Sequence, residues 1–149
     1  TNDAPSAISR LMELGVAPYL IKATVLGVMA QRLVRILCPQ CKEAIEPDPS
    51  GWANITRPRR IPAPEKVYKA VGCGECRDTG FLGREGIYEV MPFSADLRQK
   101  ISEGVDLAAL AQQAQREGMQ SLRMSGAQKV SAGITTIDEV LRVTPENQI

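Results

Sequence analysis

An α+β fold is predicted by three observations on this 149-residue sequence. Both ends carry apolar residues at helical spacing, closed by glycines. Six of the ten prolines lie between Pro39 and Pro64, which rules out a continuous helix through the middle. All four cysteines also fall in that middle stretch, in two C-x-x-C pairs flanked by glycine turns.

In chain order, Asp3 caps a first helix that has Pro5 in its opening turn and runs to Leu14. Gly15 supplies its left-handed stop, and Ile8, Leu11, Met12 and Leu14 make its apolar face. A second helix is expected from Pro18 to about Ala30. Residues 31–37 (Gln-Arg-Leu-Val-Arg-Ile-Leu) nearly alternate polar and apolar, as in a strand with one solvated face. Continuation of the second helix is the other reading of that segment. Val67 to Met91 reads as short strands around Gly72, Gly74, Gly80, Gly83 and Gly86, with the run Gly80–Gly86 as hairpin turns rather than a phosphate loop. Four short helices follow. They begin at Ser94, Asp106, Ser121 and Thr136, and glycines 104, 118 and 133 stop the first three. Thr136-Ile137-Asp138-Glu139 has the spacing of a capping box, in which hydroxyl and carboxylate each satisfy a free backbone N–H.

Cys38-Pro39-Gln40-Cys41 and Cys73-Gly74-Glu75-Cys76 are separated by 31 residues. Two thiolates at C-x-x-C spacing hold one face of a tetrahedral ion, and a second pair completes the shell at about 2.3 Å per bond. Cys38, Cys41, Cys73 and Cys76 are therefore the expected ligands, with zinc the expected ion and iron the alternative for an all-thiolate tetrahedron. A disulfide pair fits poorly, because the first twenty residues show no basic start followed by an apolar stretch and so no secretory signal is expected. A redox C-x-x-C needs one pair at a helix start, not two in loops rich in proline and glycine. With four sulfurs the shell is closed, so the metal is structural. The segment contains few large apolar groups (Trp52, Tyr68, Phe81, Tyr88), and zinc binding, on the order of 10–16 kcal/mol in small metal-dependent domains, would offset its ordering entropy. Loss of one thiolate is expected to loosen residues 38–90 while the terminal helices stay folded. The loop that follows the first pair carries Arg57, Arg59 and Arg60, read either as a solvated excursion or as a contact for an anionic partner.

Several functions are excluded by what the sequence lacks. There is no histidine, hence no imidazole catalysis or ligation. A net charge of +1 and 4% aromatic residues argue against nucleic-acid binding, although a free-standing zinc ribbon with the three arginines as its basic patch is the alternative function. No lysine follows a glycine, so no phosphate loop is present, and no dinucleotide-binding glycine fingerprint occurs. The charge-free run from Ala23 to Gln31 is far shorter than the roughly 20 apolar residues of a membrane span. The chain starts at Thr1 rather than Met, as expected of a processed or excised fragment.

The ordered set of segments is specific. Thr1-Asn2-Asp3-Ala4-Pro5 with Arg10-Leu11 is followed by Ala30-Gln31-Arg32-Leu33-Val34-Arg35 and by Leu37-Cys38-Pro39-Gln40-Cys41-Lys42. Val71-Gly72-Cys73-Gly74-Glu75-Cys76, then Gly83-Arg84-Glu85-Gly86-Ile87-Tyr88-Glu89, and finally Gly133-Ile134-Thr135-Thr136-Ile137-Asp138-Glu139-Val140 complete it. In these segments the chain resembles the C-terminal third of the type II secretion and type IV pilus assembly ATPases (the GspE/PilB family). The resemblance implies a homo-hexameric RecA-like motor that hydrolyses ATP with Mg2+ on the cytoplasmic face of the bacterial inner membrane. Its partners would be the inner-membrane platform and other secretion or pilus components, with no nucleic acid and no membrane insertion. Residues 1–37 would end the RecA-like core, 38–90 would be the tetracysteine zinc module, and 91–149 a C-terminal helical subdomain. The family's phosphate loop, acidic metal-binding motif and catalytic glutamate would precede Thr1, and Thr1-Asn2 resembles the tail of its histidine motif. No catalytic residue is expected in this stretch, which alone would be inactive. Arg32 is the candidate for the nucleotide side, a structural ion pair being the alternative.

Overall fold

A computed structural model describes residues 3–145. The architecture is α+β. Its elements are α1 (Ala4–Glu13), α2 (Pro18–Thr24), β1 (Gly27–Leu37), β2 (Glu43–Ile45), α3 (Pro49–Thr56), β3 (Val67–Lys69), β4 (Phe81–Pro92), α4 (Ala95–Gln99), α5 (Leu107–Arg116), α6 (Leu122–Ser131) and α7 (Ile137–Val143). β1 pairs with β4. Gly27 lies against Met91 and Pro92, and Gly83 against Ile36, so these two strands run antiparallel. β2 and β3 form a second antiparallel pair, with Ala44 opposite Tyr68.

The local signals mostly did their work. Asp3 accepts from the Ser6 amide at 2.9 Å and closes a capping box on α1. Asp106 and Ser94 cap α5 and α4 by accepting from amides of the first turn, without a capping box. Four expectations change. The second helix stops at Thr24 instead of reaching Ala30, because Val25 turns extended and β1 begins at Gly27. Pairing with β4, which lies far along the chain, overrides the local helical spacing. The helix reading of residues 31–37 falls with it. The helix at Ser94 is a single short segment, Ala95–Gln99, not one reaching Glu103. A helix also occurs inside the proline-rich stretch: Pro49 occupies the first turn of α3, where no amide donor is needed, and Asp48 caps it through Ser50 and Gly51. Finally, Gly83 and Gly86 lie within β4 rather than in hairpin turns. Gly83 takes φ +80°, a conformation that only glycine enters without strain, so the strand continues where another residue would break it.

The described residues group into two compact units. One takes in the described part of Thr1–Ala30 together with Tyr88–Ser121. Its core joins Ala4 and Ile8 of α1, Ile21 of α2, Met91 of β4, Phe93, Leu97, Ile101, Leu110, Ala114 and Met119. The α1 N-terminus is held by Glu89, a buried carboxylate that accepts from the Ala4 amide at 2.9 Å. The other unit contains Gln31–Ile87 and the described residues from Leu122 onward. There α3, α6 and α7 pack on one another, with Trp52, Ile55, Leu122, Met124, Ala127, Val130 and Val140 buried. Of the four C-terminal helices, α4 and α5 thus belong to the first unit and α6 and α7 to the second, which also holds all four cysteines. Among the described residues no buried side-chain nitrogen or oxygen lacks a hydrogen-bond partner.

Candidate metal centre

The two cysteine pairs are brought together by the ends of long strands. β1 delivers Cys38, whose amide donates to the Gly80 carbonyl at 2.9 Å, just after Leu37 has donated to Ile134 at 2.8 Å. Residues 70–80 then fold back as a tight knuckle. The Asp78 amide donates to the Cys73 carbonyl at 2.9 Å, and the Thr79 hydroxyl donates to the Cys76 carbonyl at 2.7 Å. Gly80, at φ +82°, leaves no room for a side chain: a Cβ there would sit 2.5 Å from that of Ala70. Arg77 and Asp78 are both left-handed, an uncommon state for non-glycine residues that this turn imposes.

All four Sγ atoms lie within 4.8 Å of one another. Cys38–Cys73, Cys41–Cys76 and Cys73–Cys76 are each separated by 3.8 Å, and none of the four forms a disulfide. A tetrahedron with bonds of about 2.3 Å has sulfur–sulfur edges of about 3.8 Å, so these three separations match edges of a four-thiolate shell. Sulfur-directed amides complete the geometry. Gly72 donates to Cys41 Sγ at 3.3 Å, while Cys73 and Gly80 both donate to Cys76 Sγ at 3.2 Å. These donors divide the thiols. Burial pushes Cys41 up to about 11, which the Gly72 amide only partly opposes. Burial also acts on Cys76, but there the Cys73 and Gly80 amides outweigh it and bring the thiol down to about 6. The cluster therefore already favours a thiolate and could hold a metal ion.

Around this cluster a second group of polar contacts was not legible in the sequence. Glu139 is buried on α7, and Arg35 on β1 closes on it from the backbone amide (3.0 Å) and from Nε and Nη2 (3.1 and 2.6 Å). Arg142 adds two more bonds at 3.0 Å. Burial alone would raise the Glu139 carboxyl, but the Arg142 and Arg35 bonds dominate and hold it at about 2. The capping box expected at Thr136–Glu139 is thus half realised. The Thr136 hydroxyl accepts from the Glu139 amide at 3.0 Å, while the carboxylate is taken by the two arginines. Lys42, next to the first knuckle, donates to the Gly133 carbonyl at 2.8 Å and lies over the Tyr68 ring. Arg32 is half-buried on β1, with Nη1 donating to the Gln31 carbonyl at 2.8 Å. Arg57, Arg59 and Arg60 are exposed beyond α3. Thr1 and Asn2 lie outside the described residues.

Residues 1–142 match the family model described as "Type II/IV secretion system protein". The chain belongs to this family. The relatives it resembles are the type IV pilus assembly ATPase TfpB of Acinetobacter baylyi (49% identical over 97% of this chain and 25% of the relative) and PilB of Myxococcus xanthus (44%, 95% and 25%). The type II secretion system protein E of Pseudomonas aeruginosa is 42% identical over 98% of this chain and 28% of its own length. The chain therefore spans about a quarter of the length of the curated relatives it matches. Family members named in this way serve both secretion and pilus assembly. Among the described residues of this member, no helix is long and apolar enough to cross a membrane.

Proposed function

We propose that this chain is the C-terminal part of a hexameric RecA-like ATPase that powers type II secretion or type IV pilus assembly. In that assembly it would supply a structural zinc module and contacts to neighbouring subunits and to the inner-membrane platform, from the cytoplasmic face. Residues 1–37 would end the ATPase core, 38–90 would carry the metal, and 91–149 would be the helical subdomain. The observation that carries this reading is the similarity over nearly the whole chain to ATPases about four times its length. No lysine follows a glycine here, so ATP and Mg2+ would be held by residues outside this sequence. Arg32, on β1, would be the candidate for the nucleotide side, a structural ion pair being the alternative.

Cys38, Cys41, Cys73 and Cys76 would hold Zn2+. Bound there, the ion would supply a closed cross-link and no reactive position. Around it the protein's own residues do the organising. The Gly72, Cys73 and Gly80 amides stabilise thiolate charge, and the shell ties the β1 end to the knuckle that leads into β4. Purified 149-residue chain should show no ATP turnover, whereas the full-length polypeptide should. Equal rates from the two preparations would overturn the assignment.

A further inference from the structure

We propose that the outward face of the β1–β4 ladder in the first unit is a packing surface, covered in the full-length protein by the portion of the polypeptide that precedes Thr1. The inference rests on the reading above that this chain is the C-terminal part of a longer ATPase. Side chains on paired strands alternate between faces, and strand positions directly opposite share one. The Phe93 amide donates to the Leu26 carbonyl at 2.9 Å, and Gly27 lies against Met91 and Pro92. This register sets Val28 with Met91 on the core side and Met29 with Val90 on the other. The core side is filled, with Met91 fully buried and Val28 packed beside it. The opposite side is apolar yet open: Met29 is 61% exposed, Val90 50% and Tyr88 42%.

A solvated sheet face alternates with polar residues, and none of these three positions carries a charge. Contiguous exposed apolar groups of this kind mark an interface. The length of chain outside the structure identifies the occupant. The matched relatives are about four times as long as this chain, so most of the full-length polypeptide is available to lie on this face.

The test compares Met29→Lys/Val90→Lys in two settings, this 149-residue chain and the full-length polypeptide. Both positions face solvent in the short chain, so its melting temperature should stay within about 1 °C, while the full-length protein should fall by about 5 °C or more as two ammonium groups are forced under a packed layer. The milder Met29→Gln/Val90→Thr pair should shift the full-length protein in the same direction and preserves the readout if the lysine variant does not fold. An unchanged full-length melt, or an equal drop in both settings, would overturn the proposal. So would sedimentation of the short chain as a dimer that the lysine pair dissociates, because a second copy would then cover the face. Loss of the ATPase reading would show separately, as absence of ATP turnover by unmodified full-length protein, and would leave the melting comparison intact.

Discussion

Replacing Glu139 with Gln keeps the side-chain shape but leaves two guanidinium groups facing a neutral amide. The carboxyl is held at about 2 against an ordinary 4.5, chiefly by Arg142 and Arg35 working against burial. That gap corresponds to roughly 3 kcal/mol of folding free energy. Arg35 and Arg142 are themselves 46% and 56% exposed, so solvent screening trims the expected loss to about 2 kcal/mol at neutral pH. The pH dependence has a definite sign. A carboxylate with a depressed folded-state pKa stabilises fully above its unfolded value of 4.5, and the contribution disappears as pH falls toward 2. Urea unfolding of wild type and Glu139→Gln, followed by circular dichroism at several pH values, should give two curves that differ by about 2 kcal/mol at pH 7 and converge in acid. Thiolate protonation in acid would also release metal, but from both proteins alike, so the difference isolates Glu139. A gap below about 0.5 kcal/mol at pH 7, or one constant across the range, would refute the assignment of a buried, arginine-held carboxylate.

Gly126 lies in α6, where alanine would ordinarily favour the helix by about 1 kcal/mol. A Cβ there would stand 2.5 Å from Val140 Cγ1, so Gly126→Ala should instead destabilise by about 1–3 kcal/mol in thermal unfolding, and adding Val140→Ala should recover much of the loss. Cys41→Ser should lower metal content and raise amide hydrogen exchange in α6 and α7 as well as in residues 38–80, since these helices share a unit with the cysteines. Exchange in α1 and α5 should stay slow. Protection retained throughout α6 and α7 would show that they stand without the metal.

What the sequence revealed and what it concealed follow the range of the interactions. Helix caps act within three residues, and Asp3, Ser94 and Asp106 were readable on sight. The cysteine spacing was readable for the same reason, as each C-x-x-C turn is local and only the meeting of the two pairs is not. The failures were non-local. Val25–Ala30 looks helical until β4 offers it a ladder, and Glu139 looks like a capping residue until Arg35, 104 positions away, claims its carboxylate. Helix α3 failed differently. Asp48-Pro49 is a good start signal, but the segment after the first cysteine pair was read as a loop because its prolines rule out a continuous helix. Gly83 and Gly86 were read as turns because glycine more often ends a strand than passes through one.

The most direct test of the account is the metal content of freshly purified, fully reduced chain, paired with a count of reactive thiols. A zinc ion held by the four thiolates, as proposed, predicts one zinc per chain, four thiols silent to a thiol reagent, and release of all four together with the ion on chelation. A folded, reduced chain with no bound metal and four freely reacting thiols would contradict it.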